Sequence, residues 1–160
     1  MKELDAAQIE YLEKAGRTFE GLGSTRAGGK LFALFLITDE TLSLDEMGRI
    51  TASSKGTVST NIRFLESIGI VEHLTKPGDR KDYYRIHPMA WRKMIEAANP
   101  KYQVMRDLFT MGEKVAPPES KQLLKELDRV MSRLQDIVQT SLEQLSQEIQ
   151  EMRLEGETRK

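Results

Sequence analysis

The chain contains no cysteine among its 160 residues and has only two histidines and one tryptophan. The absence of cysteine excludes disulfides, thiolate metal sites and cysteine-based redox sensing. No apolar run approaches the roughly 18 residues of a membrane-spanning helix, and the acidic, polar start MKELDAAQIE is unlike a signal peptide. These absences predict a cytoplasmic protein, and the length allows one domain with a substantial core in each protomer.

Motifs of the common enzyme classes are also missing. The sequence has no His-Glu-x-x-His, no Walker loop and no Gly-x-Ser-x-Gly. The two histidines, His73 and His87, lie in or beside a strand-like stretch with apolar neighbours, which is more typical of surface strand positions than of catalysts or metal ligands. We therefore expect no enzymatic activity, no catalytic residue, no metal site and no cofactor.

Two helix starts near the centre of the chain are built in opposite ways. Ser43 to Glu46 spells Ser-x-x-Glu, so the serine can cap the helix while the glutamate reaches back to its amide. Asp45 adds a negative charge where the helix dipole favours one. The next helix opens with SKGT at residues 54–57. Its serine is a good N-cap, but a cation, a glycine and a threonine then occupy a turn that acidic residues would stabilise.

This second start suits the binding of a phosphate better than it suits stability. Free backbone N–H groups at a helix N-terminus attract anions. Gly56 allows a close approach, and Lys55 supplies a positive charge with no carboxylate in the same turn. The alternative interpretation is an ordinary pair of antiparallel helices whose second member is poorly capped. The features that follow along the chain favour the phosphate-binding interpretation.

The helix that begins near Ser54 has one apolar and one polar face. The apolar stripe consists of Val58, Ile62, Leu65 and Ile68. The opposite face carries short hydrogen-bonding side chains and cations, which suit base edges and phosphates in a major groove. These polar residues are Lys55, Thr57, Ser59, Thr60, Asn61 and Arg63.

A β-hairpin is predicted directly after this helix. Gly69 stands where a helix end needs the left-handed conformation. Residues 70–74 and 82–86 then read as two strands joined by a Pro-Gly turn. The tip of the hairpin bears Arg80 and Lys81, which could contact a DNA backbone or minor groove. Helix, turn, helix and hairpin in this order are the layout of a winged helix-turn-helix.

Charge is distributed unevenly along a chain whose net charge is −1. Residues 48–93 contain nine basic and four acidic residues, a balance of +5, whereas residues 1–47 and 94–160 carry −4 and −2. A basic centre between acidic ends indicates a local phosphate-binding face. Chance clustering on a solvated surface is the alternative.

Three stretches of the chain resemble the GbsR-type branch of the MarR superfamily of transcription regulators. They read GGKLFALFLITDETLSLDEMGRI, SSKGTVSTNIRFLESIGIVEHL and KPGDRKDYYRIHP, and they lie between about Ala27 and Pro88. The resemblance implies a dimeric winged-helix repressor or activator whose long terminal helices form the dimer. In some members the regulated genes concern choline and glycine betaine, and choline or a related compound is the sensed ligand.

The flanking segments are predicted to be mostly helical. Residues 4–22 form an amphipathic pattern that the glycines between Gly21 and Gly29 interrupt. Lys30 to Ile37 could be a buried strand or a buried helix by composition, and the resemblance favours the helix. Another helix should follow Pro88, be interrupted at Asn99-Pro100, and continue over residues 101–115.

The last segment, residues 119–154, is predicted to be one long helix. Its apolar residues recur with a mean spacing of 3.6, so the helix should be nearly straight and should not form a sustained coiled coil. A single helix of this length would leave its apolar stripe exposed on a lone protomer. We therefore expect it to pack on the N-terminal helix and on a partner's helices, the alternative being that it folds back on its own core.

The sequence thus predicts a mainly α fold with a small β-hairpin wing, in which a winged helix-turn-helix core is flanked by terminal dimerisation helices. The expected divisions are an N-terminal dimerisation helix at 1–26, a DNA-binding domain at 27–88, and C-terminal helices at 89–160 that dimerise and contain an effector cleft. The partners would be double-stranded DNA and a second copy of the chain. The candidate DNA-binding residues are Ser54, Lys55, Gly56, Thr57, Ser59, Thr60, Asn61, Arg63, Arg80 and Lys81.

Two questions stay open at this level. A winged helix can also serve as a protein-interaction or assembly module without operator binding. A small-molecule effector such as choline would need an aromatic cage, and the aromatic residues outside the DNA-reading core are as well explained by core packing. No effector-binding residue is assigned. The aromatic residues in question are Tyr11, Phe19, Trp91, Tyr102 and Phe109.

Overall fold

The computed structural model describes residues 4–38 and 40–158, with side chains described as far as residue 152. Within these ranges the chain forms six helices and three short strands and divides into two compact units, residues 1–90 and 91–160. The mainly helical winged-helix fold is therefore confirmed. In chain order the elements are α1 (Ala6–Gly21), α2 (Arg26–Ile37), β1 (Leu42–Ser43), α3 (Leu44–Thr51), α4 (Lys55–Ser67), β2 (Val71–Thr75), β3 (Asp82–Ile86), α5 (Ala90–Val115) and α6 (Pro118–Thr158).

Helix α2 is the centre of the first unit. Leu31, Leu34 and Phe35 are almost completely buried, and they pack with residues of α1, α3, α4 and the sheet in one apolar cluster. The apolar run that composition left open between strand and helix is therefore a helix. Its burial on nearly all sides explains why it lacks the polar face of an amphipathic helix.

Two glycines lie inside α2, where the sequence had predicted an interruption up to Gly29. The prediction was wrong at this end: α1 stops at Gly21, and Thr25 already caps α2 by accepting a hydrogen bond from the Gly28 backbone N–H (2.9 Å). A Cβ atom built on Gly29 would lie 2.7 Å from Phe19 Cβ and 2.9 Å from the Ala15 carbonyl oxygen. The glycine is present because α1 and α2 approach too closely for a side chain.

We expect Gly29→Ala to destabilise the protein by about 1–3 kcal/mol, because overpacking against neighbouring backbone outweighs the better helix propensity of alanine. The measurement is urea unfolding followed by circular dichroism. Gly21→Ala is the matched control, since its Cβ would meet nothing within 4 Å. Equal stability of Gly29→Ala and wild type would contradict the close approach of the two helices.

The sheet has three antiparallel strands in the order β1-β3-β2. The predicted hairpin is confirmed, with Val71 opposite Ile86 and Thr75 opposite Asp82. Gly69 (φ 71°) ends α4 in the left-handed region, as predicted. The sequence analysis missed β1, a two-residue strand that pairs with β3 on the other side. A segment this short carries no periodic signal, and it exists because β3 offers an edge.

The second unit consists of α5 and α6 in antiparallel contact. Arg106 Nε donates to Asp128 Oδ1 (2.9 Å), while Arg92 Nη1 donates to the Ser146 hydroxyl (3.1 Å). The predicted interruption at Asn99-Pro100 was wrong, because α5 continues through Pro100. Proline removes one backbone hydrogen bond of the helix, and the exposed position of Pro100 gives water access to the carbonyl that loses its partner.

The α5–α6 pair leaves about half of its large apolar side chains exposed. Within residues 91–152, only Leu142 is buried, with 3% of its surface exposed.

Within the described chain, no helix is apolar enough over a sufficient length to cross a membrane. The large apolar side chains that remain exposed on the two helices are Met94, Val104, Met105, Leu108, Met111 and Val115 on α5, and Leu123, Val130, Leu134, Ile137, Leu145 and Met152 on α6.

Candidate nucleic-acid interface

Helix α3 begins with the predicted reciprocal cap. The Ser43 backbone N–H donates to Glu46 Oε2 (2.8 Å), and the Glu46 backbone N–H donates to Ser43 Oγ (3.4 Å). Hydrogen bonds from the hydroxyl and amide of Ser43 hold the pKa of the Glu46 carboxyl below its usual value. Helix α3 ends at Ala52, which adopts the left-handed conformation (φ 52°) and turns the chain toward α4. The first helix of the motif is thus firmly held at both ends.

Helix α4 begins with the incomplete cap that the sequence indicated. The Thr57 backbone N–H donates to Ser54 Oγ (3.1 Å), and the two side-chain hydroxyls are 2.8 Å apart. A Cβ atom on Gly56 would have no neighbour closer than Ser54 Oγ at 4.0 Å. The fold itself therefore does not require glycine here. A glycine that packing does not explain fits a surface that another molecule approaches closely.

Lys55 lies beside α3 at this same N-terminus. Its Nζ is 3.0 Å from Asp45 Oδ1, and both side chains are more than half exposed. The lysine holds the pKa of the Asp45 carboxyl below its usual value. An exposed pair of this kind is weak, so Lys55 can exchange the carboxylate for a phosphate without a large cost.

The exposed face of α4 carries most of the predicted reading residues. Thr57, Thr60 and Arg63 are exposed, and Ser59 is half-buried. The interpretation of Asn61 as a residue of this face was wrong, since only 8% of it is exposed. Its position explains this, because it follows Val58 by three residues and precedes Leu65 by four, which places it on the buried stripe.

Phe64 is a residue of this face that the sequence analysis did not consider. It is 54% exposed and follows Thr60 by four residues, so the two lie on neighbouring turns of the same side. The signal was available, because Phe64 falls outside the apolar stripe of α4. An exposed phenyl ring beside hydroxyl and guanidinium groups can contact the methyl group of thymine in a major groove.

Hydrogen bonds organise the wing tip around Asp79. Its carboxylate accepts from the Lys81 backbone N–H (3.0 Å) and from the Tyr83 hydroxyl (2.7 Å), and the latter bond is the main reason that the pKa of Asp79 is lowered. Lys76 Nζ lies 3.8 Å from the centre of the Tyr83 ring. Gly78 supplies the positive φ that the turn needs (81°). The tip is consequently an ordered turn that presents its basic side chains.

The basic residues of the first unit fall into two groups. Several are engaged by carboxylates, such as Arg85, which pairs with Glu72. Arg63, Arg80 and Lys81 are exposed and form no ion pair within the described residues. Unpaired cations are therefore available on the α4 face and at the wing tip, where phosphate contacts would be made, although Lys14, Arg17 and Arg49 are also exposed without an ion pair. His73 belongs to the first group, with its Nε2 atom 2.8 Å from Asp82 Oδ1.

Comparison with known proteins places this geometry in a family. No protein-family model matches the chain. The chain is 32% identical over 147 residues to the HTH-type transcriptional regulator MmpR5 of Mycobacterium tuberculosis, with 87% of each chain covered. A crystal structure of a transcriptional regulator superimposes with a TM-score of 0.76 at 32% identity, covering 88% of this chain and 99% of that one. The apo form of MarR from E. coli is more distant, with a TM-score of 0.40 at 17% identity and coverages of 76% and 85%.

The chain therefore belongs to the winged helix-turn-helix transcription regulators. Within that class it is a member of the MarR family, and its helix-turn-helix consists of α3 and α4, with the wing formed by β2 and β3.

Proposed function

We propose that this protein binds a specific DNA operator as a homodimer and represses transcription from it, acting in the cytoplasm and not as an enzyme. Helix α4 would lie in the major groove, and the wing tip would contact the adjacent backbone or minor groove. The observation that carries the proposal is that the exposed face of α4 and the wing tip together present Arg63, Arg80 and Lys81, which no carboxylate engages within the described residues.

Each group in the interface has a role in this proposal. The N-terminus of α4 at residues 54–57 holds a phosphate and sets the depth of insertion. Thr60 and Arg63 contact base edges, with Ser59 at the rim of the same face. Arg80 and Lys81 anchor the wing on the phosphate backbone. Asn61 has no contact with DNA in this proposal, since it is buried.

The dimer rests on the apolar surface of the second unit. The exposed residues of α5 lie within about a third of its circumference, and those of α6 form a comparable stripe, because the helical repeat brings positions such as 130, 134 and 137 onto one side. Exposed apolar patches of this extent mark interaction sites in soluble proteins. A second copy of the same two helices would cover both stripes and place two α4 helices in successive major grooves, roughly 34–36 Å apart.

The decisive experiment is selection of genomic fragments with purified protein, followed by binding measurements on the recovered DNA at several salt concentrations. We expect a pseudo-palindrome that is bound with steep salt dependence. Arg63→Ala should weaken operator binding about tenfold to 100-fold, as expected for the loss of a good contact to a base.

Arg17→Ala is the matched control, since Arg17 is an exposed arginine on α1. This variant should bind the operator like wild type. If Arg63→Ala also binds like wild type with an unchanged salt slope, the DNA-binding proposal loses its main support. The alternative is then a protein-interaction module, which the exposed ring of Phe64 on α4 favours.

The GbsR-type assignment and the effector are the finer parts of the proposal. They are supported by the resemblance of the motifs in residues 27–88. Phe19 packs against Phe32 within the first unit, with ring centres 5.4 Å apart. Genes next to the recovered operator would identify the compound to test, beginning with choline and glycine betaine.

A further inference from the structure

Asn61 is buried on α4 and joined to α2 by a directed chain of hydrogen bonds. The Gly28 backbone N–H donates to Thr25 Oγ1 (2.9 Å), the Thr25 hydroxyl donates to Asn61 Oδ1, and Asn61 Nδ2 donates to the Thr57 carbonyl oxygen (2.8 Å). The direction is determined by chemistry, since a carbonyl can only accept and the Thr25 oxygen already accepts from an amide.

We propose that Asn61 is a positioning residue, which fixes the rotation of α4 about its own axis and thereby aims Thr60 and Arg63 at the bases. The inference rests on the proposed operator binding and extends it to residues that cannot touch DNA. A purely apolar stripe tolerates sliding and rotation, whereas a hydrogen-bond chain of this kind has one satisfied geometry. The other contacts of α4 on its buried side are apolar, through Val58, Ile62 and Leu65.

The packing around Asn61 reinforces this role. A Cβ atom on Gly28 would lie 2.9 Å from Asn61 Oδ1 and 2.8 Å from Thr25 Oγ1. Glycine at this buried position of α2 therefore leaves the room in which the chain of hydrogen bonds forms. The side chain of Asn61 on α4 thus explains why position 28 of α2 is a glycine.

Small rotations matter because side-chain ends lie far from the helix axis. A helix with its side chains has a radius of about 5–6 Å, so a rotation of about 10° displaces those ends by about 1 Å. A displacement of that size is enough to misalign a directional contact. Arg63 and Thr60 lie on the side of α4 opposite to Asn61 and its buried neighbours, so any change at Asn61 is passed to them directly.

The test compares operator binding and non-specific binding in three variants that remove the chain of hydrogen bonds from different ends. Asn61→Leu keeps the branched shape and removes the amide, Thr25→Val removes the hydroxyl, and Gly28→Ala intrudes on both. Each should weaken binding to the recovered operator about tenfold, which corresponds to about 1.4 kcal/mol. Binding to random-sequence duplex DNA and the salt slope should not change, because no phosphate contact is lost.

Thr25→Ser is the conservative rescue, because it keeps the hydroxyl that both caps α2 and donates to Asn61. It should bind the operator like wild type. Asp5→Ala controls for the loss of a helix cap alone, since Asp5 caps α1 in a comparable way. The double variant Thr25→Val/Asn61→Leu should bind as weakly as either single variant, because both remove the same chain of bonds.

The outcomes separate this inference from the proposed function. If wild type recovers no operator, the proposed function fails and the inference fails with it. If wild type binds and Arg63→Ala weakens it, but Thr25→Val and Gly28→Ala bind like wild type, Asn61 is not a positioning residue. Should Asn61→Leu fail to fold, the comparison of Thr25→Val with Thr25→Ser still decides the question, with circular dichroism confirming that both are folded.

Discussion

Replacing Thr57 with glutamate is expected to make the protein more stable and at the same time to weaken operator binding by about 100-fold or more. The two effects have one cause, the sign of the charge at the third position of α4. A carboxylate there complements the helix dipole and can accept from the Ser54 backbone N–H. The same carboxylate would face the phosphate that the α4 N-terminus is proposed to hold, and like charges brought together at an interface cost several kcal/mol.

The chain contains its own template for the stabilising half of this prediction. Helix α3 begins with Ser43 and has Glu46 at the corresponding position, where the glutamate accepts from the serine backbone N–H at 2.8 Å. Helix α4 has the serine at its cap but a threonine in place of the glutamate. Completing the capping pair of α4 with Thr57→Glu should raise the free energy of unfolding by about 0.3–1 kcal/mol, measured as a rise in Tm of about 1–4 °C.

Thr57→Gln is the control that separates shape from charge. Glutamine can accept from the same amide but carries no negative charge, so we expect a loss of operator affinity below about tenfold. The measurements are thermal unfolding by circular dichroism and operator titration at two salt concentrations. Wild-type affinity in Thr57→Glu would show that the α4 N-terminus does not face a phosphate.

Features of this fold that depend on neighbouring residues in the sequence could be predicted from it. The capping pair at Ser43 and Glu46, the single cap at Ser54 and the left-handed Gly69 each involve a few consecutive residues. The length of α6 was predictable for a related reason, since a regular apolar repeat extends over many turns. In these places local preference and tertiary structure agree.

Features that depend on contacts between distant segments were missed or mistaken. Gly28 and Gly29 were predicted to lie in a loop. They are glycines because a Cβ atom would collide with residues of α4 and α1, which are distant in the sequence. Pro100 looked like a helix end, although its exposed position lets α5 continue. Asn61 looked like a reading residue because of its polarity, although helical spacing already placed it on the buried stripe. Residue type was a weaker guide here than position.

The DNA-binding role of the candidate interface stays a prediction, but the exposure of most of its residues agrees with the sequence analysis. Thr60, Arg63, Arg80 and Lys81 are all exposed in the structure, which is a necessary condition for the proposed contacts. What sequence could not provide was the pairing state of the charges. Strand register determines which side chains lie opposite each other. It places Arg85 opposite Glu72, where the two form an ion pair, whereas the cations of the wing tip have no such partner.

Disrupting the exposed stripe of α6 is the second change with a large expected effect. Leu134→Glu/Ile137→Glu places two charges where the side chains are 40% and 50% exposed. These positions contribute little to the core of their own protomer, so the variant should stay folded as a monomer. Buried against a second copy, the same charges would be unpaired and costly, and we expect the dimer to dissociate.

Operator affinity should then fall by about 100- to 10,000-fold, because a monomer loses the advantage of a second recognition helix tethered near its half-site. Sedimentation gives the assembly state, and titration with a full operator and a single half-site gives the affinities. The double variant should bind the half-site as wild type does, since α4 and the wing are untouched. That result would separate a defect of assembly from a defect of the reading surface.

A matched control adds the same two charges to the other side of α6. Gln139→Glu/Gln150→Glu changes exposed residues that lie away from the apolar stripe by helical spacing, so it should remain a dimer with wild-type affinity. If the stripe variant is dimeric and binds like wild type, the apolar surface of α6 is not the dimer interface. If wild type is itself a monomer, two half-sites cannot be read together, and the proposed pseudo-palindromic operator would have to be given up for a single asymmetric site.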